Sequence, residues 1–501
     1  MKKAERFFKK HSRILGNMRM ISMSKIILVQ INFSEDHSEK ILPLGILSVG
    51  SALKKNGLDA ELVSISEKDI GRAADRIIKQ KPLLVGFSVM TGRQTKHSAD
   101  MSKLIKERSN VPVLWGGIHP SLLPQQCLAE DYIDFIIVGE GEETTIELIR
   151  KLEQKESLEA VLGLGFKKDG QVKLNPARPL IKDLDQWPLD WSLLDMEKYI
   201  YKLDKFERVI AYKASRGCPF NCAFCYNRAF NQNRWRAWSI DHVVKDIEFL
   251  KEKYQIDAIK FYDDNFFVDK NRALTILKKI NLPTHLEVRI DMIDEELVKT
   301  LKEVRVFDLA FGAESGSDRI LSMINKRITV EKIIGAAKLL AKHDVPASYS
   351  VIVGLPTETK EEFNATLDLL YGIYKIHPGA FFTLGAFLPY PGSLMYELAI
   401  KKGFSPPVKT EEWGKIDRFR KDFFSPWVNV EYVWRIREYF KLLKFRLGPL
   451  NKWFEFRIRH RFFALPLDIY LTEFLAGMAI EEKNWFGRLL RRMYNFIKIR
   501  V

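Results

Sequence analysis

The chain has 501 residues, which at ordinary domain sizes predicts about three domains. Hydrophobic residues make up 46% of the sequence, enough to build folded cores and to exclude a largely disordered protein. Four cysteines, three of them in one loop, exclude a disulfide framework and fit a reducing cytoplasm. Eighty Lys and Arg residues against 64 Asp and Glu give a net charge of +16, which suits an anionic membrane, an acidic substrate or nucleic acid.

Residues 1–24 form a basic tail with a single acidic residue, Glu5. No apolar segment follows it, so it is not a secretory signal. We expect a solvated tail or an upstream start codon, since methionines recur at positions 18, 20 and 23.

Residues 25–155 alternate short apolar runs with helical stretches. Five runs predict buried strands: Ile26–Ile31, Ala60–Ser64, Leu83–Phe87, Val113–Trp115 and Phe135–Val138. Five βα units predict an α/β fold with a doubly wound, Rossmann-like sheet, whose ligands bind beyond the carboxyl ends of the strands. No G-x-G-x-x-G motif follows the first strand, which disfavours a nicotinamide cofactor.

Small and polar residues follow the third, fourth and fifth of these strands. They include Ser88, Thr91, Gly116, Gly117, His119, Gly139 and Glu140. Small residues at successive strand ends open a slot for a long ligand tail. A Rossmann-like domain that binds no cofactor is the alternative.

Residues 156–205 are predicted to be a linker. Lys168–Gln171 contains Asp-Gly and predicts a hairpin turn. Asp183–Pro188 is a polar, proline-bearing connection.

Residues 206–398 hold a second βα series. Its predicted strands are Val209–Ser215, Ala258–Tyr262, His285–Ile290, Phe307–Gly312, Ser348–Val353 and Phe381–Phe387. Six such units predict a partial (β/α)6 barrel of the TIM type, with its chemistry at the carboxyl ends of the strands. Polar residues recur at those ends, which favours a ligand site because charged groups are costly there without partners.

A C-x3-C-x2-C motif, Cys218, Cys222 and Cys225, directly follows the first strand of this series. Gly and Pro let such a loop curl so that its thiols surround one metal centre. A cubane cluster has four irons, so three thiolates leave one iron open to a ligand. A zinc site with Cys127 or His242 as fourth ligand is the alternative, although the sequence offers no second Cys/His pair.

The motif, with aromatic Phe224 before its last cysteine, resembles the signature of the radical S-adenosylmethionine (SAM) superfamily. The resemblance implies a [4Fe–4S] cluster whose open iron binds SAM, which one electron cleaves to a 5′-deoxyadenosyl radical. The segments 312–315 and 352–358 are similar to the SAM-contacting strands of that superfamily. The implied SAM-binding residues are Phe224, Asp264, Arg289, Glu314, Ser315 and Gly354.

The first domain resembles the cobalamin-binding domain that precedes the radical SAM domain in one large class of these enzymes. The region around Ser88 is similar to the Ser/Thr loop, and Gly116 and Gly117 to the Gly-Gly pair, that accommodate the nucleotide tail of cobalamin. Methionine-synthase-like domains carry D-x-H-x-x-G after the first strand. Here Asp36 and His37 are adjacent, so we assign no axial cobalt ligand.

Residues 399–501 are basic, aromatic and predicted to be helical. Between residues 431 and 501, fifteen Lys or Arg residues face seven Asp or Glu. A helical stripe includes Tyr432, Ile436, Phe440, Leu443 and Leu447. We expect helices packed on the barrel; contact with anionic lipid ranks second and RNA binding a poor third. Pro466 and two acidic residues interrupt the one stretch long enough to span a membrane.

These resemblances predict a cytoplasmic cobalamin-dependent radical SAM enzyme that methylates an unactivated carbon of a small or lipid-like substrate. The implied electron donor is a flavodoxin or ferredoxin. The composition of the C-terminal region leaves peripheral membrane contact as its second interpretation, and no nucleic-acid partner is expected. The alternatives are a non-methylating enzyme, such as an oxidative cyclase of the tetrapyrrole type, and a cofactor-binding module without turnover. No side chain is identifiable as a general base.

Overall fold

The first run of strands and helices forms a mostly parallel sheet. The computed structural model describes residues 25–33, 41–417, 425–443, 449–464, 466 and 468–469, and within them this sheet has seven strands. They are β1 (Ile26–Asn32), β2 (Ala60–Ser66), β3 (Leu84–Ser88), β4 (Val113–Gly116), β5 (Phe135–Ile137), β6 (Leu164–Lys168) and β7 (Gln171–Leu174). Their order is β2-β1-β3-β4-β5-β6-β7, with β1 to β5 parallel and the last two antiparallel. The five predicted strands are confirmed.

Helices cover both faces of this sheet, so its central strands are apolar throughout rather than alternating. The helices are α1 (Leu44–Lys55), α2 (Ile70–Lys79), α3 (Arg93–Arg108), α4 (Ile118–Leu122), α5 (Pro124–Ala129) and α6 (Glu142–Gln154). The first six residues of β1 are buried, whereas the edge strand β2 is half-buried apart from Val63.

The second run forms a curved sheet that does not close. Its strands are β8 (Tyr201–Leu203), β9 (Phe206–Tyr212), β12 (Ala258–Phe261), β13 (Thr284–Val288), β14 (Val306–Glu314), β15 (Ala347–Val353) and β16 (Phe381–Ala386), while β10 (Ser215–Arg216) and β11 (Arg236–Ala237) pair separately. The order β16-β15-β14-β13-β12-β9-β8 leaves β9 and β16 unpaired with each other. Six parallel strands therefore make the predicted partial barrel, and β8 adds an antiparallel edge.

Helices follow the barrel strands in the βα alternation that the sequence predicts. They are α7 (Asn227–Phe230), α8 (Ile240–Tyr254), α9 (Lys270–Ile280), α10 (Glu295–Glu303), α11 (Asp318–Met323), α12 (Val330–Lys342), α13 (Lys360–Ile376) and α14 (Leu394–Lys401). The start of α13 shows how the sequence sets a boundary. The side chains of Thr359 and Glu362 form a reciprocal capping box with the backbone.

The segment predicted as a linker contributes strands to both sheets. The β6–β7 hairpin extends the first sheet, and β8 extends the second. The hairpin turn is confirmed, because Asp169 and Gly170 both have left-handed φ values, 51° and 74°.

Beyond the barrel, the segment 404–417 returns to the first domain. Trp413 is fully buried, and its indole N–H donates to Gln126 Oε1 at 2.9 Å. Gln126 in turn donates to the carbonyls of Pro407 and Val408, at 2.7 and 2.8 Å. We call residues 404–417 the strap, because they tie the end of the barrel to the first domain.

The C-terminal region begins with two helices, α15 (Val430–Leu443) and α16 (Pro449–Arg459). Helix α15 buries Ile436, Phe440 and Leu443, and the ring of Phe440 lies 5.7 Å from that of Phe382 on β16. The expected packing of this apolar stripe on the barrel is therefore confirmed, while Leu447 lies outside the described residues. So do the basic tail 1–24 and the loop 34–40 with His37. In the ranges that the structure describes, no helix has the length and apolar run needed to cross a bilayer.

Candidate functional site

The cysteine loop is fixed by hydrogen bonds from several elements. The carboxylate of Asp264, just after β12, accepts from the backbone N–H of Gly217 and from the Tyr226 hydroxyl, both at 3.1 Å. On the other side, Asn325 donates to the carbonyl of Asn221 at 2.7 Å. Burial opposes the charge of Asp264, but Lys213 and these hydrogen bonds hold the pKa of its carboxyl below the ordinary value. Asp264 thus connects the residues on either side of the three cysteines.

Side-chain donors contact two of the three thiols of this loop. Arg289 Nη1 donates to Cys222 Sγ at 3.6 Å, and Asn227 Nδ2 donates to Cys225 Sγ at 3.7 Å. Burial raises the pKa of the Cys218 thiol, and it raises the pKa of Cys225 to about 11. Metal binding displaces such protons, and the donors then stabilise thiolates. Three unbridged cysteines in this setting fit an iron–sulfur cluster.

The alternative to a cluster is a zinc site completed by a distant fourth ligand. Across the described ranges, no group of three or more His, Cys, Asp or Glu side chains is arranged to hold one metal ion. Thiolates that bind different irons of a cluster need not meet at one point, unlike the ligands of zinc. The proposed fourth zinc ligands have other neighbours. Cys127 is buried in the core of the first domain, and His242 lies 3.7 Å from both Asp185 and Asp246.

Lys326, which the sequence did not single out, joins three of the residues predicted to bind SAM. Its ammonium lies 2.7 Å from Glu314 Oε1 and 5.9 Å from the ring centre of Phe224. Its carbonyl accepts from Arg289 Nη2 at 2.7 Å, and Arg289 also pairs with Asp291 at 2.9 Å. These ammonium, carboxylate and guanidinium groups beside Cys222 suit a ligand that carries both an amine and a carboxylate, as SAM does.

Backbone strain marks the same place. Glu314 has a left-handed φ of 65°, and the β14–β15 register shifts between Gly312 and Glu314. Such strain in a residue other than glycine concentrates at functional sites. A Cβ on Gly312 would lie 2.1 Å from Glu314 Oε1 and 2.8 Å from Lys326 Nζ. The bulge and the missing side chain therefore make room for the buried ion pair.

Two other predicted SAM residues make structural contacts. Ser315 is buried; its hydroxyl accepts from Ser317 N–H at 3.1 Å and lies 3.2 Å from Thr366 Oγ1. Gly354 has φ of 75°, and its N–H donates to Glu358. A side chain at Gly354 would collide with Val428, since its Cβ would lie 2.2 Å from Val428 Cγ1.

A cavity of about 860 Å³ lies between the carboxyl ends of the two sheets. Six glycines line its first-domain side: Gly45, Gly86, Gly116, Gly117, Gly139 and Gly141. At Gly117, with φ of 98°, a Cβ would lie 2.9 Å from the carbonyl oxygen of Val89. We call this side the glycine slot. A wall with so few side chains leaves room for the extended tail of cobalamin, and the predicted Ser88 and Glu140 also line the cavity.

Thr91 and His119, which were also predicted to bind cobalamin, are not among the described residues that line the cavity. Thr91 Oγ1 is 3.1 Å from His119 Nδ1, and the buried imidazole meets Trp413 of the strap edge-on, at 5.8 Å. Burial lowers the pKa of His119 to about 3, so its ring is neutral. These two residues thus hold the first domain against the strap.

Arg216, next to Gly217 in the cysteine motif, links the two domains at the cavity wall. Its guanidinium pairs with Glu140 at 2.7 Å and with Glu142 at 2.6 Å, and it donates to Ser48 at 2.9 Å. Burial alone would raise the pKa of Glu142, but Arg216 lowers it. The stretch 139–142, in which Gly139 and Glu140 are predicted cobalamin contacts, therefore also holds Arg216 of β10, the strand that we call the arm of the cysteine loop. In the sequence, the two neighbouring carboxylates Glu140 and Glu142 are the feature that predicts a basic partner such as Arg216.

Two family models match the chain. The model of the radical SAM superfamily matches residues 212–370, which contain the cysteine loop and most of the barrel. The model of the B12 binding domain matches residues 38–149, which contain most of the first sheet and the glycine slot.

Similar proteins cover most of the chain. An uncharacterized methyltransferase of Pyrococcus horikoshii is 33% identical over 396 residues, 76% of this chain and 83% of that protein. An anaerobic magnesium-protoporphyrin IX monomethyl ester cyclase of a Synechocystis species is 30% identical over 354 residues, 66% and 69% of the two chains. The fold is shared with TsrM of Kitasatospora setae, a radical SAM methyltransferase whose structure was solved with cobalamin and a [4Fe–4S] cluster. The TM-score is 0.63 and the sequence identity 17%, and the match covers 86% of this chain and 90% of that chain. The chain belongs to the radical SAM superfamily, in the class that carries a B12-binding domain, and its cofactors are a [4Fe–4S] cluster, SAM and cobalamin.

Proposed function

We propose that this enzyme transfers a methyl group to an unactivated carbon of a small substrate. The observation that carries the proposal is the cavity onto which the glycine slot, the arm of the cysteine loop and the barrel interior all open. When bound, the cluster and SAM supply a hydrogen-abstracting radical, and cobalamin supplies the methyl group. A shared cavity favours the transfer because it brings donor and acceptor carbon together.

In this scheme, the residues of the chain bind the cofactors and hold them in position. We assign Cys218, Cys222 and Cys225 to the cluster, with Arg289 and Asn227 stabilising the thiolates through hydrogen bonds. We assign SAM to the neighbouring charged side chains, Glu314, Lys326 and Arg289, beside Phe224. The glycine slot, Ser88 and the Arg216 network receive cobalamin, and the barrel and first domain together shield the cavity from water.

The proposal is tested with anaerobically reconstituted protein, a reductant, methyl-labelled SAM and a small-molecule extract of the host. We expect 5′-deoxyadenosine and a labelled product that is heavier than its precursor by one methylene unit. Cys222→Ala should abolish cluster loading and SAM cleavage, because the remaining two thiolates leave an iron without its protein ligand. Cys127→Ala, which removes a thiol from the core of the first domain, should retain the cluster. SAM cleavage that persists in Cys222→Ala would contradict the assignment.

Similarity to the ester cyclase supports a second candidate, an oxidative radical reaction without methylation. It uses the same cysteine loop and barrel, so the site geometry does not separate the two. Product mass does: a labelled product supports methylation, whereas a modified product that gains no methylene unit supports the cyclase-like reaction.

We further propose that the protein is cytoplasmic and that a flavodoxin or ferredoxin reduces its cluster. We also propose that residues 25–155 bind cobalamin, residues 156–205 connect the two domains, and residues 206–398 bind SAM. The net charge of +16 supports docking of an acidic electron carrier. Its expected signature is a reduction rate that falls steeply with added salt. A rate independent of salt would contradict charge-guided docking.

Lipid contact through the C-terminal region is also a proposal. Trp453 and Phe456 on α16, and Phe462 just beyond it, are each about two-fifths exposed, at 41%, 46% and 41%. The basic side chains of Lys452 and Arg459 on α16 are also exposed. Aromatic and basic groups together favour an anionic membrane surface. We expect the protein to float with phosphatidylserine vesicles, and Trp453→Ala with Phe456→Ala to weaken flotation. Equal recovery of wild type and double variant would argue against this surface.

A further inference from the structure

Charged side chains cross the interior of the barrel below the cysteine loop, and radical chemistry by itself uses none of them. Lys260 of β12, His285 of β13 and Asp308 of β14 are direct neighbours in the strand register. His285 Nδ1 lies 2.9 Å from Asp308 Oδ2. Ser348 of β15 donates to both oxygens of the same carboxylate, at 2.8 and 3.0 Å. The contacts form a chain of polar groups across adjacent strands.

The chain continues toward the cavity through Glu287. Residues two apart on a strand share a face, so Glu287 and His285 both face the barrel interior. His285 Nε2 lies 3.7 Å from Glu287 Oε1, and no hydrogen-bond partner for that buried nitrogen is present among the described residues. The His285 side chain is only 10% exposed, whereas that of Glu287 is 46% exposed and lines the cavity. Glu287 is therefore the end of this chain of polar groups that faces the cavity.

The charges of this chain favour a protonated His285. Burial disfavours a charged ring, and Lys260 adds repulsion, but the carboxylates of Asp308 and Glu287 outweigh both and raise the pKa of His285 to about 9. At neutral pH, His285 is therefore an imidazolium placed between two carboxylates. Asp308 and Ser348 fix one edge of the ring, which leaves the other edge turned toward Glu287.

The position of Glu287 suits a substrate. Arg289, two residues after Glu287 and just beyond the end of β13, donates to Cys222 Sγ at 3.6 Å. Glu287 also lines the cavity together with Arg216 and Gly217, which lead into the cysteine loop. A group bound at Glu287 would place its neighbouring carbons close to the loop and to the cavity that the glycine slot also lines.

We propose that the Glu287 carboxylate anchors the substrate, and that His285, held by Asp308 and Ser348, is a positioning residue for it. The inference rests on the proposed function and names its substrate class: a polar molecule with an ammonium or hydroxyl group near the reacting carbon. A hydrocarbon-like end would strip water from the carboxylate and give it no hydrogen bond in return, which is costly. The lipid-like substrate expected from the C-terminal composition is thus disfavoured at this end of the cavity.

The substrate class is tested with methyl-labelled SAM and a host extract divided into water-soluble and hydrocarbon-soluble pools. We expect label in the water-soluble pool. Label confined to the hydrocarbon-soluble pool would overturn the inference and leave the proposed methylation intact. Wild-type protein that forms neither 5′-deoxyadenosine nor a labelled product would overturn both.

The anchor is tested on the labelled pool with Glu287→Ala and Glu287→Gln. Loss of a hydrogen bond to a charged group should raise the half-saturating concentration about ten- to a hundredfold in Glu287→Ala. Gln keeps an acceptor, so near-wild-type saturation in Glu287→Gln assigns a hydroxyl and a large rise assigns an ammonium. Glu296→Ala, which removes a carboxylate that is 87% exposed on α10, is the matched control. Equal half-saturation in Glu287→Ala and Glu296→Ala would overturn the anchor.

The link between His285 and Glu287 has a readout that needs no turnover. Ring-labelled histidine in the full chain reports the pKa of His285 by NMR. In Glu287→Gln this pKa should move toward the ordinary value of about 6.5, because one of the two flanking carboxylates is gone. An unchanged His285 titration in Glu287→Gln would show that the imidazolium does not position the anchor.

Discussion

At the scale of single residues, Gly217 shows why the cysteine motif includes more than its cysteines. It has φ of 81°, a region that favours glycine, and its N–H donates to Asp264. A Cβ would lie 2.1 Å from the carbonyl oxygen of Arg234. The loop can therefore approach the 231–234 turn only when this position lacks a side chain.

Gly217→Ala should displace the cysteine loop and reduce cluster loading. Left-handed strain costs about 1–2 kcal/mol, and the backbone collision adds to it. Iron and sulfide content after anaerobic reconstitution measures the effect. Gly170→Ala is the control, since Gly170 has φ of 74° but no other atom lies within 4 Å of the position that its Cβ would take. Equal cluster content in the two variants would show that the collision does not matter.

Residue identity and spacing predict candidate ligands, but they do not predict contacts. The three cysteines could be assigned from their spacing, because ligand spacing within one loop is a local property. Ser315 and His119 could not be judged in the same way. Both are polar residues at strand ends, yet packing turns Ser315 toward Thr366 and buries His119 against Trp413.

At the scale of elements, short polar segments at strand ends connect the two sheets. Glu140 and Glu142 follow β5, and Arg216 lies on β10, the arm that leads into the cysteine loop. Arg236 on β11 adds a second guanidinium to Glu140, at 2.7 Å. The elements that are predicted to receive cobalamin and the cluster are thus joined by one buried network of charges.

Arg216→Ala should destabilise the protein markedly. Removing one partner of a buried ion pair leaves uncompensated carboxylates and typically costs about 3–5 kcal/mol. Glu142 is only 3% exposed, so water cannot replace the lost guanidinium well. The thermal midpoint measures the loss. Arg108→Ala is the control, because the Arg108–Asp75 pair is half-exposed and such pairs contribute at most about 1 kcal/mol. Matching midpoints for the two variants would contradict a structural role for Arg216.

At the scale of the whole molecule, the strap attaches the barrel to the first domain. Residues 404–417 leave the barrel and contact three helices or loops of the first domain, through Lys103–Glu411, Glu130–Thr410 and Gln126–Trp413. Trp413 also packs with Tyr396 of α14, with ring centres 6.2 Å apart. The strap therefore limits how far the two carboxyl edges that line the cavity can separate.

Trp413→Ala should loosen this attachment. Replacing a fully buried tryptophan by alanine typically costs about 3–5 kcal/mol. We expect a lower thermal midpoint and faster tryptic cleavage within residues 404–417. Trp453→Ala makes the same substitution at a side chain that is 41% exposed, and it should leave both properties near wild type. Unchanged cleavage of the strap in Trp413→Ala would show that other contacts hold it.

The sequence alone determined the two βα series, the cysteine loop and the glycines at the strand ends. These features depend on apolar runs, turn residues and ligand spacing, which act over short stretches of chain. The hairpin at Asp169–Gly170 belongs to the same group.

Only the tertiary structure decided which distant groups meet. Arg216 contacts Glu140 across 76 positions of sequence, and Arg289 reaches Cys222 across 67. His285, Asp308 and Ser348 meet because their strands are neighbours in the barrel, at a register that places all three on its inner face. Local patterns do not specify such encounters, since they arise when two sheets pack and each buried charge must find a partner or lose its solvation.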